Sequence, residues 1–266
     1  MRTPLQTFGK WLARYLTGVS PGPYPNPPTD PALLADAIQP CDVLLVEGNR
    51  RISTAIKYLT QSTWSHAALY VGRDLGHDRN GEPLVFIEAD TVEGVRGVSI
   101  AEFSGLHTRI CRPFAITPAD AMRVVDYAIA RLGQRYDLKN VFDLARYLIP
   151  TPPVPTRWRR KMLALGSGDP TQAICSTLIA QAFQAVRYPI LPIITRRMAN
   201  DPMCEACVKE ILHIRHHSLF VPRDFDVSPY FEVIKPGAPQ RLDYKNLEWA
   251  DLPAEESHDL SSSPEA

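Results

Sequence analysis

Apolar positions along the chain fall into two kinds of run. β-Branched and aromatic blocks occupy 43–47, 66–71, 84–89, 95–100 and 107–112, each bounded by Gly, Pro, Asp or other polar residues, and read as strands. The blocks at 66–71 and 84–89 are separated by a polar, Gly-containing loop at 74–82, which predicts an antiparallel hairpin. Three-and-four spacing replaces alternation at 52–59, 117–132 and 175–186, predicting helices. The second of these starts at Thr117-Pro118, shows Val124, Val125, Ala128, Ile129 and Leu132 on one face, and is expected to close at Gly133. The third runs from Cys175 through Leu178, Ile179, Ala182, Phe183 and Val186 until Pro189 and Pro192. Short strands at 219–222, 226–229 and 231–234 are expected to close the domain, giving an α+β chain with a small antiparallel sheet or barrel packed on helices.

The pattern weakens at both ends and once in the middle. Residues 4–18 fit an amphipathic helix with Phe8, Trp11, Leu12, Tyr15 and Leu16 on one side, which suits either docking on the domain or a membrane surface, with Lys10 and Arg14 towards headgroups. A Pro-rich linker follows, so residues 1–30 stand apart from a domain at 31–236. Within that domain, residues 150–172 form a Pro-rich, basic insertion ending in Gly166-Ser167-Gly168, which reads as a mobile cover over a cleft. Residues 237–266 are polar and acidic, the composition of a disordered tail.

Composition narrows the function classes. The 29 acidic and 29 basic residues cancel, which argues against a dedicated nucleic-acid binder. No apolar run reaches the length of a spanning helix, and the N-terminus lacks the apolar core of an export signal. The expected setting is therefore the cytoplasm, with residues 4–18 as the segment that would touch the inner membrane; the five cysteines are then expected to be reduced. The sequence suggests no cofactor and leaves the oligomeric state open.

The chemistry centres on Ser65-His66-Ala67-Ala68-Leu69-Tyr70-Val71-Gly72 and Ile174-Cys175-Ser176-Thr177. A thiol attacks as thiolate, and free Cys has a pKa of about 8.5. A helix N-terminus and a neighbouring imidazolium both lower it; Cys175 has the first by position and His66 can supply the second. Glu88, in the apolar run Phe86-Ile87-Glu88-Ala89, needs a partner and suits the orienter of His66. A cysteine on an apolar helix also fits a plain core position, and Glu88 a solvent-facing one.

The ordered pieces Asp42-Val43-Leu44-Leu45, Trp64-Ser65-His66-Ala67-Ala68-Leu69-Tyr70-Val71-Gly72, Val85-Phe86-Ile87-Glu88-Ala89, Gly133-Gln134-Arg135-Tyr136-Asp137 and Ile174-Cys175-Ser176 resemble the circularly permuted papain-fold, NlpC-like cysteine hydrolases of the YiiX/YaeF type, with lecithin retinol acyltransferase as a more distant relative. The resemblance covers roughly residues 39–235 and implies a bacterial thiol hydrolase with Cys175 as nucleophile, His66 as base and Glu88 as third polar residue. It implies Tyr136 near the cleft; Trp64 and Ser176, beside His66 and Cys175, are expected to contact substrate.

Peptide or acyl-amide cleavage is the first expectation, on a small peptide or lipid-like amide. A lipid-directed acyltransferase or esterase using the same thiol, and a non-enzymatic binding module, are the alternatives. Cys204-x2-Cys207 with His213 and His216 or His217 raises zinc as a further option, although the spacing to the histidines is short, and exposed helix positions explain the segment as well.

Overall fold

The computed structural model describes residues 26–90, 93–134, 174–198, 208–237 and 245. The expected N-terminal helix, the 150–172 cover and the tail beyond 245 lie outside the described residues, as do Tyr136, Cys204 and Cys207. Strands β1 (Val43–Glu47), β2 (His66–Tyr70), β3 (Phe86–Asp90), β4 (Gly94–Val98), β5 (His107–Pro113), β6 (Ile193–Met198), β7 (Val208–His213) and β8 (Phe231–Ile234) alternate with helices α1 (Pro31–Ala37), α2 (Arg51–Thr60), α3 (Pro118–Ile129), α4 (Ile174–Ala185) and α5 (Pro222–Asp226). The chain is α+β, built on a six-stranded sheet of order β4-β3-β2-β1-β5-β8 with every named pairing antiparallel. Among the described residues β4 and β8 are edges, so these six strands form an open sheet rather than a barrel.

Strand β1 explains the order. All five of its residues are buried, because it pairs with β2 and β5 and is covered on both faces. That is why its sequence is a continuous apolar run rather than an alternating one. Val43 and Leu45 join Ala67, Leu69 and Ile87 under α3 and α4, whereas Leu44 and Val46 join Ala68 and Phe86 under Leu34 of α1 and Phe103 of the 3-10 turn Ile100–Phe103.

Local chemistry sets the helix ends. Asp30 accepts from Ala32 N at 2.8 Å with Pro31 following, and Thr117 accepts from Asp120 N at 3.1 Å with Pro118 following. Helix α3 stops at Ile129, short of the expected Gly133. Gly133 instead takes a positive φ of 80°, donates to Val95 O at 2.8 Å, and Gln134 O accepts from Val95 N at 2.9 Å. This return ties the end of the helical segment to β4.

Other expectations change. The strand expected at 95–100 ends at Val98 and gives way to the 3-10 turn. Of the strands expected at 219–234 only β8 forms; His217–Leu219 is a 3-10 turn and α5 occupies Pro222–Asp226, where Pro222 opens a helix and Asp224 accepts from Val221 N at 3.2 Å. Residues 208–213 are a strand, not a helix, paired with β6 in a separate ribbon. The end of the expected linker is tied down: Asn26 Nδ2 donates to Glu47 at 2.8 Å and Thr29 N to Leu106 O at 3.0 Å.

Candidate functional site

Strands β2 and β3 are paired at Leu69–Ile87 and Tyr70–Phe86 and then part. The next N–H of β2 on that side belongs to Ala67, and no β3 carbonyl takes it within the named pairing. The sulfur of Cys175, in the first turn of α4, accepts a hydrogen bond from it. Alternation puts His66, Glu88 and Arg96 on the sheet face of Ala68, Phe86 and Val98, opposite the face that α4 covers. Cys175 and His66 thus come from elements on opposite faces of the sheet and meet beyond the end of the named β2–β3 pairing.

The structure brings Cys175, His66 and Glu88 together. Glu88 Oε2 lies 2.6 Å from His66 Nε2, and the His66 side chain also hydrogen-bonds Cys175. Cys175 and Glu88 are each 5 % exposed, and the His66 side chain 28 %. A substrate therefore reaches the imidazole more readily than the carboxylate.

The electrostatics polarise the pair. Burial alone would push the His66 imidazole down, but Cys175 and Glu88 outweigh it and hold it well above its ordinary value. Burial would raise the Cys175 thiol; His66, with the Ala67 N–H and the Ser176 hydroxyl, brings it below its ordinary value. Glu88 goes against its burial to about 2, because His66 and then Arg96 favour the carboxylate. The arrangement suits a thiolate–imidazolium pair oriented by an ionised carboxylate.

Arg96 is the residue that sequence reasoning missed. Its Nη2 and Nε donate to Glu88 Oε1 at 2.6 and 2.9 Å, leaving Oε2 to His66. Its other contacts are Glu93 at 2.9 Å and Glu102 at 3.3 Å. Counting outward from the β3–β4 connection pairs Asp90 with Gly94 and so Glu88 with Arg96. The pairing is countable from the sequence once the two blocks are taken as a hairpin.

Two residues expected to contact substrate are buried and have partners within the protein. Trp64 is only 3 % exposed; its Nε1 donates to Asp226 Oδ2 at 3.1 Å, its ring stacks on His107, and Arg109 lies over it while pairing with Asp226 at 2.7 Å. It fastens β2 to α5 and β5. Ser176 is fully buried and its hydroxyl lies 3.9 Å from Cys175 Sγ, so it faces the thiol. Of the metal candidates, His213 Nε2 bonds Thr195 Oγ1 at 2.8 Å and His217 packs on His216. No group of three or more metal-ligating side chains occurs among the described residues. No helix among them is long and apolar enough to cross a membrane.

No protein-family model matches the chain, and no curated protein is similar to it. Among solved structures, the crystal structure of the metalloprotein YiiX (DUF1105) from Escherichia coli O157:H7 is similar at a TM-score of 0.42 and 15 % sequence identity, over 76 % of this chain and 98 % of that one.

Proposed function

We propose that this protein is a thiol hydrolase of permuted papain-like organisation that cleaves an amide bond through an acyl-enzyme on Cys175. The observation that carries the reading is the Cys175–His66–Glu88 chain of contacts, with the thiol lowered and the imidazole raised. The chain order supports the permuted organisation: the histidine strand precedes the cysteine helix.

In this reading the Cys175 thiolate attacks the carbonyl carbon, and the π electrons move to oxygen. The N–H groups of a helix's first turn have no partner within the helix, and in this reading that of Cys175, in the first turn of α4, donates to the oxyanion. Collapse breaks the C–N bond as His66 Nδ1–H protonates the departing amine, leaving a thioester. Water then attacks the thioester while His66 takes its proton, and collapse releases the carboxylic acid and the thiolate. Glu88 engages Nε2, which leaves Nδ1 for this proton transfer.

The test is mass spectrometry of Cys175 after incubation with cell extract, with Cys175→Ala as control. An acyl adduct on Cys175 that is lost to water supports hydrolysis; transfer of the adduct to an added amine or alcohol instead makes the protein an acyltransferase. A Cys175 that takes no acyl group from any extract sinks both.

A further inference from the structure

We infer that Arg96 is the positioning residue of the site, holding Glu88 in the one orientation that aims His66 at Cys175. This rests on the reading of Cys175 as a nucleophile.

The geometry divides the carboxylate. Oε1 takes two N–H groups from the planar guanidinium, and Oε2 takes the imidazole. A carboxylate held at both oxygens cannot rotate about its last bond without breaking one set. Glu88 and Arg96 are also directly opposite in the β3–β4 register, so the two backbones fix the distance that the side chains span. The charged groups facing the site from the packed elements are His66 and Cys175 on one side of Glu88 and Arg96 on the other, with Glu93 and Glu102 beyond it. Those two outer carboxylates hold the guanidinium from its far side and restrict its swing towards solvent.

Losing Arg96 leaves Glu88 buried with His66 as its remaining ionic partner. Glu88 then picks up a proton at higher pH, and once protonated it no longer supports the imidazolium. Freed at Oε1, it also rotates, and His66 follows. Arg96 is thus required for the thiolate on the acid side of neutrality while touching neither the sulfur nor a substrate.

The readout is iodoacetamide alkylation of Cys175 against pH, followed by mass spectrometry. The full chain is used as wild type, Arg96→Met, Arg96→Lys and Arg96→Ala, with Arg73→Gln as a charge control on an exposed pair remote from the site. In Arg96→Met the acid limb of alkylation moves to higher pH, and the rate near pH 6 falls by about 100-fold, the order of the drop in thiolate as the thiol moves back towards a pKa of about 8.5. Arg96→Lys, a single point charge without the fork, recovers part of the loss. Methylguanidinium added to Arg96→Ala recovers more, because the Arg96 side chain is 28 % exposed and its vacated place is within reach of solvent. Rescue of this kind does not follow from a merely structural role. A wild-type-like acid limb in Arg96→Met overturns the inference while leaving the hydrolase reading intact. If wild-type Cys175 itself titrates as an ordinary thiol, the hydrolase reading fails first. If Arg96→Met does not fold, absence of rescue in a folded Arg96→Ala overturns the inference.

Discussion

Glu88 Oε2 stands 2.6 Å from His66 Nε2, across two strands that have ceased to pair, while its other oxygen is held by Arg96. That contact favours the protonated imidazole, the form that stabilises the Cys175 thiolate. The expectations below follow from it and from the elements that hold it.

Among the cysteines, Cys175 is expected to alkylate fastest at neutral pH. Its thiol is lowered chiefly by His66 against the effect of burial, whereas burial pushes Cys41 up to about 12 and Cys111 higher still. The Cys175 thiolate therefore persists below the pH at which a free thiol is protonated. Peptide mapping after iodoacetamide at pH 6 to 7 checks this; faster labelling of Cys41, Cys111, Cys204 or Cys207 would remove Cys175 from the role. His66→Ala should return the Cys175 thiol to its ordinary value or above it, since burial remains, and lower turnover by about 10²–10⁴-fold.

Glu88 links the site to stability. Its folded-state value, about 2, lies below the ordinary 4.5, so its contribution is full above 4.5 and is lost as pH falls towards about 2. The shift corresponds to about 3 kcal/mol. Glu88→Gln should therefore be less stable than wild type near pH 7, and the difference should close between about pH 4.5 and 2. Urea unfolding at a series of pH values reads the two curves. A constant gap down to pH 2 would show that the charge of Glu88 is not what stabilises the fold.

Trp64 serves the frame. Trp64→Phe removes the bond to Asp226 but keeps the ring against His107, and Asp226 retains Arg109. The expected loss is about 1 kcal/mol of stability, with KM unchanged. A raised KM with unchanged stability would return Trp64 to the substrate.

Gly72 ends the segment that carries His66. It adopts φ +64°, and a Cβ there would meet Pro40 Cγ at 2.4 Å. Gly72→Ala combines left-handed strain with a clash against a rigid ring, and should cost about 2 kcal/mol or more. Thermal or urea unfolding checks it; a neutral substitution would mean that the 40–42 turn yields easily.

Some of this was determined by the chain itself. The strand around His66, its antiparallel neighbour carrying Glu88, and the helix opened by Cys175 follow from local periodicity and turn residues, which act over a few positions and leave their mark in the sequence. What alternation could not tell was that His66 and Cys175 meet where the named β2–β3 pairing ends, since their elements belong to opposite faces of the sheet. Strand parting has no periodicity of its own. It is decided by where pairing competes with a docked helix. Trp64 shows the same limit: its place beside His66 suggested a binding surface, and the residue that decides otherwise, Asp226, comes from α5 at the far end of the domain. Arg96 lies between the two cases, because its partner was countable from the turn, but the division of the carboxylate between Arg96 and His66 exists only once three strands lie side by side.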